Sequence, residues 1–461
     1  MTDLEMAESL AKAINEKGGT AYFVGGYVRD KILNRENKDI DIEVYNIEPD
    51  TLRSILDTLG EHTEHGKSFG VFGLKGYNLD ISMPRTERCV GNKHTDFDVT
   101  INPFISTQEG AKRRDLTMNA IMYDIVKQEY VDPYNGIEDI KNGIIRHVNS
   151  KTFVEDPLRV LRVAQFASRF TNMQVAQETI ELCKRIDITT LSKERIYTEL
   201  EKALLRSDKP SIFFRVLDNM CQLPSYFAEI NALMYVPQSK QYHQEGDVFE
   251  HTMLAIDNMA TVGRRFSKHP MELMLVTLCH DLGKIVSTTI VDGKVHSYQH
   301  ELYSPEIAER MLCRITNNKF IIEYVKNLVG LHMEPHHLYE RNSKIKKSNK
   351  MFDKCMDELD LIMLAYVDSR SSWKDNRAEV QEAEDERFWL MSRYEIFKDT
   401  MSKPYVKGAD LVKNGFKPGE YFSDVLKLAH KLRLARISKE DALPQVLALA
   451  RKLEKTNILE G

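Results

Sequence analysis

The stretch VGGYVRDKILNRENKDIDIEV, residues 24–44, constrains the fold of this chain more than any other segment. An apolar run ends at Gly25-Gly26, a short helical pattern follows, and an alternating strand pattern begins near residue 38. Asp39 and Asp41 are two residues apart on that predicted strand, and side chains at this spacing point to the same face. The sequence therefore predicts a strand, a glycine turn, a helix and a second strand that presents two carboxylates together.

These residue types suit the binding of phosphates and magnesium. Glycine lets backbone N–H groups approach an anion closely, and the N-terminus of the following helix favours negative charge. Arg29 lies one turn into that helix, within reach of the same anion. Paired carboxylates on a rigid face suit Mg²⁺, and Asp80 on another predicted strand would add a third. A Gly-Gly pair alone is usually a turn, and an Asp-x-Asp pair alone is usually an exposed strand face. Because the two occur here in this order and close together, a catalytic role is favoured over these structural ones.

Length and composition indicate a globular protein of several domains. A chain of 461 residues is long enough for three or four, and its 42% hydrophobic and 29% charged residues are typical of globular proteins. No stretch approaches the roughly 20 apolar residues that cross a bilayer, and the N-terminal segment is an acidic helical pattern rather than a signal peptide. The six cysteines form no CxxC pair, which indicates reduced thiols. We therefore expect a cytoplasmic protein without membrane contact.

The hydrophobic pattern divides the chain into four predicted domains. Strand and helix patterns alternate in the first, which predicts an α/β domain with a small mixed sheet, and helical patterns dominate the other three. The charged stretch 376–400 is predicted as either a long helix or a linker. The predicted boundaries are 1–138, 139–238, 239–375 and 376–461.

Several motifs together resemble a known enzyme family. GGYVRD…KDIDIEV, LDISMPRTER and AKRRDLTMNAIMYD resemble the nucleotidyltransferase head of bacterial tRNA CCA-adding enzymes, the class II tRNA nucleotidyltransferases, and of their relatives the bacterial poly(A) polymerases. VDPYNGIEDI, EDPLRVLRVAQF and KERIYTELEKAL continue the resemblance from about residue 20 to 205, in the family's motif order. The resemblance implies an α/β nucleotidyltransferase head followed by an all-α neck.

The resemblance also implies a role for each matching residue. Residues that would bind the nucleotide are Gly25, Gly26, Arg29, Arg113, Arg114, Asp115, Asp156, Arg159 and Arg162. Residues that would hold the catalytic Mg²⁺ are Asp39 and Asp41, with Asp80 as the third candidate carboxylate. Residues that would brace the neck are Glu194, Arg195 and Glu199, and those that would join head and neck are Asp132, Pro133 and Gly136. The segment between Pro84 and Lys112 is implied to shift the preference of the site from C to A, and its full length argues against an enzyme that adds only CC.

The segment EDPLRVLRVAQF, residues 155–166, admits two interpretations. Asp156 before Pro157 is a good helix start, which would leave the arginines as a solvated stripe. Alternatively, Asp156 accepts a hydrogen bond from the exocyclic amine of a base while Arg159 donates to a ring acceptor. C and A both present an amine beside a ring acceptor, whereas G and U present a carbonyl beside a ring N–H. Such a pair would select C and A without a nucleic-acid template.

A histidine–aspartate pattern in the third predicted domain indicates a metal site. His251, the pair His280-Asp281 and Asp368 form the sequence H…HD…D on successive predicted helices, which resembles HD-type metal-dependent phosphohydrolases. Two imidazoles and two carboxylates suit a divalent metal of unidentified type that would activate water. Further candidate ligands or phosphate donors are His300, His332, His336 and His337, although an isolated histidine on an apolar helix face is more often a packed core residue. An active domain of this type is implied to hydrolyse phosphomonoesters or 2′,3′-cyclic phosphodiesters.

The charge of the chain is unevenly distributed. A formal net charge of −5 argues weakly against nucleic-acid binding, but residues 427–439 form a basic segment and residues 378–388 an acidic one. The basic side chains that would meet tRNA phosphates, or else form a solvated helix face, are Lys427, Lys431, Arg433 and Arg436.

Three functions fit these patterns. The first is template-independent addition of CCA to tRNA 3′ ends from CTP and ATP with release of pyrophosphate, by a monomer or homodimer. The second is a poly(A) polymerase or A-adding enzyme with the same chemistry, and the third an HD phosphohydrolase with an RNA-binding head. The head keeps both carboxylates and the triphosphate residues, which favours a nucleotidyltransferase. The resemblance places the HD segment with certain CCA-adding enzymes and not with typical poly(A) polymerases, which favours CCA addition.

Overall fold

The computed structural model of the protein describes residues 1–65, 71–89, 97–239, 246–371 and 377–460. The chain folds into two compact units. The N-terminal unit comprises Met1–Ala203 and Ile212–Ser225, and the C-terminal unit comprises Leu204–Ser211 and Tyr226–Gly461. The predicted division into four domains stays a prediction, and part of the segment implied to shift the nucleotide preference, residues 90–96, lies outside the described residues.

A seven-stranded mixed sheet forms the first part of the N-terminal unit. Its strands in chain order are β1 (Thr20–Val24), β2 (Ile40–Tyr45), β3 (His62–His65), β4 (Val71–Leu74), β5 (Leu79–Ser82), β8 (Met122–Asp124) and β9 (Glu129–Val131). Between β5 and β8 the chain forms a separate hairpin of β6 (Arg85–Cys89) and β7 (Phe97–Ile101). Their order across the sheet is β3-β4-β5-β2-β1-β8-β9, and β2 and β5 run parallel while the other neighbours are antiparallel. The predicted small mixed sheet is therefore confirmed.

Helices lie between the strands of the sheet, and after β9 most of the elements in the N-terminal half of the chain are helices. They are α1 (Asp3–Glu16), α2 (Gly25–Ile32), α3 (Pro49–Leu59), α4 (Thr107–Lys112), α5 (Gly136–Lys141), α6 (Ser150–Phe153), α7 (Leu158–Arg169), α8 (Gln177–Cys183), α9 (Lys193–Arg206), α10 (Ser211–Asn219) and α11 (Leu223–Ala232). A two-stranded parallel pair, β10 (Ile144–Ile145) and β11 (Gln174–Val175), lies between them. Asp132 accepts hydrogen bonds from the backbone N–H groups of Gly136 and Ile137, which anchors the start of α5.

The C-terminal unit is mostly helical, as predicted. Its helices are α12 (Val248–Asn258), α13 (Pro270–Cys279), α14 (Lys284–Ser287), α15 (His300–Ile315), α16 (Lys319–Leu331), α17 (Met333–Glu340), α18 (Ile345–Lys354), α19 (Glu358–Ser371), α20 (Arg377–Ser402), α21 (Gly408–Lys413), α22 (Tyr421–Leu434) and α23 (Lys439–Glu460). The charged stretch that was predicted as helix or linker is the long helix α20. None of the described helices is long and apolar enough to span a bilayer.

One element of this unit does not follow from the helical pattern. A β-hairpin of β12 (Thr288–Val291) and β13 (Lys294–Ser297) interrupts the helices. Its turn is Asp292-Gly293, both at positive φ, which is the turn chemistry that hairpins favour. The Asp-Gly pair between β-branched residues was therefore the available signal for this hairpin.

Candidate functional site

A pocket of about 510 Å³ in the N-terminal unit brings most of the predicted site residues together. Predicted residues that line it are Gly25, Gly26, Arg29, Asp39, Asp41, Arg113, Arg114, Asp115, Asp156, Arg159 and Arg162. Lining residues that sequence reasoning missed are Asn37, Asn119, Phe166 and Arg169. Residues from three separate parts of the sequence thus meet in one polar cavity.

The glycine turn after β1 forms one wall of this pocket. Gly25 has φ +67°, a conformation that favours glycine because other residues would place a Cβ against their own backbone. A Cβ at Gly25 would also lie 3.2 Å from Asp41 Oδ2 and 3.2 Å from Arg114 Nη1. The turn therefore keeps the backbone close to a carboxylate and a guanidinium at the start of α2.

The predicted carboxylates lie where two parallel strands meet. Asp41 and Asp80 are register partners on β2 and β5, and Asp39 directly precedes β2, where its Oδ1 accepts a hydrogen bond of 3.2 Å from Asn78 Nδ2. Burial raises the pKa of Asp41, and the neighbouring carboxylates of Asp80 and Asp39 raise it further against the opposing effect of Arg114. This accumulation of negative charge is the environment that a bound divalent cation would stabilise.

Glu43 continues the alternation of Asp39 and Asp41 and was missed by the sequence analysis. Its side chain is buried, and it accepts a hydrogen bond of 2.9 Å from Arg113 Nη2 while Arg114 Nη2 lies 3.5 Å from its other oxygen. Burial opposes ionisation of Glu43, but Arg114 and Arg113 lower its pKa. The spacing D-x-D-x-E was the available signal, since the third carboxylate of the series shares the strand face with the first two.

Arg29 has a different environment from the one predicted. The residue is 3% exposed. Its guanidinium donates two hydrogen bonds to Asp30 and a third, of 2.7 Å, to Asn119 Oδ1, and lies over the ring of Phe166. Most of its hydrogen-bonding capacity is therefore used inside the protein. These contacts make Arg29 an inner support of the glycine turn, and because it also lines the pocket, its role at a bound anion stays a prediction.

The start of α7 combines a cap with an ion pair. Asp156 Oδ1 accepts a hydrogen bond of 3.1 Å from the backbone N–H of Leu158, and Arg195 of α9 binds the same carboxylate at 2.9 Å. Arg159 donates to the backbone carbonyls of Thr152 and Arg113, at 2.5 Å each, which fixes the plane of its guanidinium. The cap part of the helix-start interpretation therefore holds, but the arginines do not form a solvated stripe, because Arg159 is held by backbone carbonyls and both side chains line the pocket.

A buried ion pair connects α7 to the segment after α4. Arg162 donates from Nε to Asp115 Oδ2 at 2.7 Å, and its Nη1 lies 3.8 Å from Glu199. Asp115 is buried, and its other oxygen accepts a hydrogen bond of 2.9 Å from Asn119. Burial opposes ionisation of Asp115, but Arg162 and these hydrogen bonds lower its pKa. Of the predicted bracing residues, Arg195 and Glu199 contact the site helix, whereas the side chain of Glu194 is exposed.

A second cluster of predicted residues lies in the C-terminal unit. His251 Nε2 is 2.9 Å from Asp368 Oδ1, and His280 Nε2 is 3.4 Å from Asp281 Oδ2 and 3.6 Å from Asp368 Oδ1. His251, His280 and Asp281 are buried and offer ligand atoms that all lie within 4.8 Å of one another, as a metal site requires. The four predicted residues are therefore brought together.

The four additional histidines divide between this cluster and the surface. His300 and His332 are buried and contact Asp281, and His336 lies 3.4 Å from Asp368 Oδ2 and 2.9 Å from Glu386 Oε1. Burial opposes protonation of His336, but Asp368 and Glu386 raise its pKa to about 10. His337 is exposed.

Among the basic residues predicted to meet tRNA phosphates, Arg433 of α22 instead contacts the protein. Arg433 donates to the backbone carbonyls of Thr400, Met401 and Lys403, so its guanidinium joins α22 to the end of α20. Lys427 forms an exposed ion pair with Asp424, which is worth little in water. The side chains of Lys431 and Arg436 are exposed.

Comparisons with known proteins agree with this geometry. Residues 21–146 match the family described as Poly A polymerase head domain, and residues 248–363 match the HD domain family. The Multifunctional CCA protein of Mannheimia succiniciproducens is 34% identical over 369 residues, 77% of this chain and 85% of that protein. That of Pasteurella multocida is 35% identical over 325 residues, 69% of this chain and 75% of that protein. The Bacillus stearothermophilus CCA-adding enzyme in complex with CTP shares the fold, with a TM-score of 0.67 at 19% identity over 99% of this chain and 100% of that chain.

The substitution Asp115→Asn is expected to lower the free energy of unfolding by about 2 kcal/mol, because it leaves Arg162 without its carboxylate in a mostly buried site. The loss is less than for a fully buried pair, since the Arg162 side chain is 30% exposed. The folded pKa of Asp115 lies below that of the unfolded chain, so the advantage of the carboxylate is present above about pH 4 and disappears as the pH falls through the lowered pKa.

Urea unfolding of the wild type, Asp115→Asn, Arg162→Gln and the double variant gives the coupling between the two residues. The exposed Asp218→Asn is the matched control and should have no effect. Additive losses in the double variant would contradict the ion pair as a source of stability.

Proposed function

The chain belongs to the family of the multifunctional CCA proteins, and we propose that it adds C, C and A in turn to the 3′ end of tRNA, from CTP and ATP, without a nucleic-acid template. Family membership rests on relatives of about one-third identity that match most of their own length. The observation that carries the proposal for this chain is the single pocket that combines the carboxylates, the glycine turn and the Asp156–Arg159 pair.

The triphosphate of the incoming nucleotide is proposed to lie against the glycine turn. The backbone at Gly25 and Gly26 and the N-terminus of α2 provide N–H donors for anionic oxygens. Arg114 lies beside Gly25, and both Arg113 and Arg114 form ion pairs with the buried Glu43 of β2. Their positive charges thus face the phosphates without the entropy cost of ordering long side chains at each turnover.

Asp39, Asp41 and Asp80 offer hard oxygen ligands from β2, the residue before it and the adjacent β5, which suits a divalent cation. Burial raises the pKa of Asp41, and the charges of Asp80 and Asp39 raise it further. We propose that the cation is Mg²⁺. When bound, it would lower the pKa of the attacking 3′-hydroxyl and neutralise charge that develops on the phosphates. The three carboxylates themselves orient the reacting groups, and Arg114 offsets the charge of Asp41.

Selection of the base is proposed to depend on the start of α7. Arg195 and the helix cap hold the carboxylate of Asp156, and two backbone carbonyls hold the guanidinium of Arg159. A fixed acceptor beside a fixed donor matches the amine and ring acceptor of C and A, but opposes the carbonyl and ring N–H of G and U. Arg162 supports this face through Asp115.

A second activity is proposed for the C-terminal unit. Its buried cluster of His251, His280, Asp281 and Asp368 fits a divalent metal, because two imidazole nitrogens and two carboxylates converge there. Bound metal would supply a Lewis acid that activates water. We propose hydrolysis of phosphomonoesters or 2′,3′-cyclic phosphodiesters, of the kind found at damaged RNA ends, with a transition metal rather than Mg²⁺ at this histidine-rich site.

The remaining assignments complete the proposal. Residues 1–138 would be the nucleotidyltransferase head, 139–238 the neck, 239–375 the HD domain and 376–461 a tRNA-binding tail, in which the exposed Lys431 and Arg436 would meet tRNA phosphates. The enzyme would act in the cytoplasm, as a monomer or homodimer.

The paired substitution Asp39→Ala with Asp41→Ala is expected to reduce incorporation of both C and A more than about a hundredfold, because it removes the metal-binding carboxylates. The measurement uses tRNAs that end before CCA, at C and at CC, with each NTP offered singly and in pairs and the products sequenced. The exposed carboxylate Asp50 of the same unit supplies the control Asp50→Ala. Full activity of the paired variant would overturn the assignment, and long A tails on generic RNA would assign the chain to poly(A) synthesis.

Replacement of Asp156 or Arg159 by alanine is expected to relax the choice among the four NTPs more than it lowers the thermal midpoint. Each residue supplies one half of the base-pairing pattern, whereas the loss of a single cap costs only about 1 kcal/mol. The ratio of kcat/KM for CTP and ATP to that for UTP and GTP measures the effect, and the exposed neighbour Glu155→Ala is the control. Variants that lose stability but keep their selectivity would show that the helix-cap role is sufficient.

Removal of the HD pair by His280→Ala with Asp281→Ala is expected to abolish phosphohydrolysis while CCA addition continues. The assay measures hydrolysis of p-nitrophenyl phosphate and 2′,3′-cyclic AMP by protein whose metal has been removed with a chelator and replaced by Mg²⁺, Mn²⁺, Co²⁺, Ni²⁺ or Zn²⁺. The exposed His337→Ala is the control, and it should retain full hydrolysis. Hydrolysis that persists in the paired variant, or that no metal restores in the wild type, would contradict the second activity.

A further inference from the structure

A groove of about 410 Å³ lies between α1, α2 and the β8–β9 hairpin of the N-terminal unit. Phe23 of β1, Tyr27 of α2 and Tyr123 of β8 line it. Asn37 lines both this groove and the pocket that contains the glycine turn. The two cavities therefore adjoin at Asn37.

Aromatic rings form a continuous row that begins in the groove. The ring centroids of Phe23 and Tyr27 are 4.8 Å apart, those of Phe23 and Tyr123 are 6.4 Å apart with planes 15° from parallel, and those of Tyr123 and Tyr130 are 4.9 Å apart. Phe23 is buried in the core, whereas Tyr27 and Tyr123 are half-buried and Tyr130 is exposed. The tyrosines thus present part of their rings to solvent on a fixed apolar base, and the flat face of a nucleobase stacks well on such rings.

Two basic side chains of the groove contact aromatic rings rather than acids. Lys31 Nζ lies 3.9 Å from the centroid of the Tyr123 ring, and the Arg35 guanidinium lies 4.8 Å from that of Phe170. Both side chains are exposed, and neither forms an ion pair or a side-chain hydrogen bond with a described residue. Of the residues that line the groove, all of them in the described part of the chain, only Glu8 is acidic. The lining therefore carries an excess of positive charge, which suits a ligand with a phosphate group.

The turn of the β8–β9 hairpin places a further polar group at the groove. The buried Asp124 accepts hydrogen bonds on Oδ1 from the N–H groups of Val126, at 3.1 Å, and Lys127, at 2.9 Å, and the N–H of Gln128 donates to the backbone carbonyl of Asp124 at 2.9 Å. These bonds fix the backbone of the turn. The amide of Gln128 is exposed and forms no hydrogen bond with a described residue, so both its donor and its acceptor are available to the edge of a base.

Asn37 connects the groove to the catalytic pocket. Its Nδ2 donates to Asp30 Oδ2 at 2.8 Å, and its Oδ1 accepts a hydrogen bond of 3.0 Å from the N–H of Asp39. A Cβ at Gly26 would lie 3.3 Å from Asn37 Nδ2. The amide thus stands between the glycine turn and the first of the candidate metal ligands. A strand that extends from the groove past Asn37 reaches the pocket in which the 3′-hydroxyl is proposed to react.

Packing of α2 against the hairpin is the competing explanation for these contacts. It accounts for the buried ring of Phe23, but it gives no role to the exposed Arg35 and Gln128 or to the ring faces that stay open to solvent. The arrangement of stacking faces, cations and an amide around one concave space is the one that proteins use for single-stranded nucleic acid.

The charge of the lining favours an RNA strand over a free nucleotide. A nucleoside triphosphate carries several negative charges, and sites for it balance them with a metal and several donors. Lys31 and Arg35, opposed by Glu8, instead match the one or two phosphodiester charges beside a single nucleotide of a strand.

We propose that the groove binds one unpaired nucleotide of the RNA substrate, upstream of the 3′ end in the catalytic pocket, with its base against Tyr27 and Tyr123 and its phosphate at Lys31 and Arg35. The inference rests on the proposed function, which supplies the RNA strand. Because stacking accepts any base, the groove holds the strand without selecting its sequence. It keeps the RNA on the enzyme while the next nucleoside triphosphate enters the pocket.

Photocrosslinking of the wild-type full chain tests this contact directly. A tRNA that ends at C, with 4-thiouridine at one of the positions before its 3′ terminus, is irradiated with the protein, and the adducts are located by peptide mass spectrometry. Adducts are expected on the peptides that contain Tyr27 or Tyr123, and excess unlabelled RNA should abolish them whereas excess AMP or CTP should not. Adducts confined to other peptides would overturn the groove, and protection by AMP but not by RNA would overturn the RNA strand as its occupant.

The paired substitution Lys31→Ala with Arg35→Ala separates strand binding from chemistry. It is expected to raise the KM for RNA at least about fivefold and to reduce the slope of log affinity against log salt by about 1.4, because two phosphate contacts of a single strand are lost. The kcat and the KM for CTP should stay unchanged. The control Lys12→Ala with Lys17→Ala removes the same charge from exposed positions of the same unit. An unchanged RNA affinity and salt slope, or an equal loss in the control, would contradict the proposal.

Two substitutions of one tyrosine test the stacking. Tyr27→Leu is expected to weaken RNA binding at least about fivefold, since a stacked base loses its platform, while Tyr27→Phe keeps the ring and should bind as the wild type does. Equal losses in both variants would overturn the stacking role.

The outcomes distinguish the groove from the proposed function. Crosslinks at Tyr27 or Tyr123 without incorporation of C or A would overturn the nucleotidyltransferase and leave the groove as an RNA site. Normal incorporation with crosslinks only elsewhere would overturn the groove alone.

Discussion

The ion pair between Asp115 and Arg162 is the interaction on which the N-terminal pocket depends. It joins the loop after α4 to the second turn of α7, and through Asn119 it extends to Arg29 beneath the glycine turn. The pair is mostly buried, so its desolvation is offset only by a complete set of partners. Relative to an apolar replacement such a network adds little stability, although loss of one partner is costly, and it fixes the separation between the glycine turn and the start of α7.

Charge in and behind the pocket wall is arranged in two layers. Asp39, Asp41 and Asp80 concentrate negative charge at one edge of β2 and β5, whereas Glu43, buried behind them, is neutralised by Arg113 and Arg114. The inner carboxylate positions the two arginines, and the outer ones stay available to a cation. Because Asp39, Asp41 and Glu43 alternate along one stretch of chain, the pleat of β2 sets the spacing between the layers, and β5 adds Asp80.

The sequence was sufficient where local pattern and chemistry coincide, as in the strand–turn–helix around Gly25 and the paired carboxylates that follow. It failed where a partner lies far along the chain. Arg29 was predicted to reach an anion from its place one turn into the helix after the glycine pair, and its contact with Asn119, 90 positions away, could not be read from that local pattern. Contacts across such separations leave no local periodicity in the sequence. The hairpin β12–β13 was missed for a different reason, because its local signal, Asp292-Gly293, was passed over among the histidines and flanking helices of that region.

The start of α7 shows why structural and functional interpretations of one residue need not compete. A cap must hold its carboxylate in one orientation, and the hydrogen bond of Asp156 to Leu158 N–H, with the Arg195 ion pair, does so. A recognition group needs the same immobility, since a mobile acceptor would adapt to a carbonyl or an amine alike. The contacts that make Asp156 and Arg159 good structural residues are therefore those that would let protein groups replace a template strand in the choice of base.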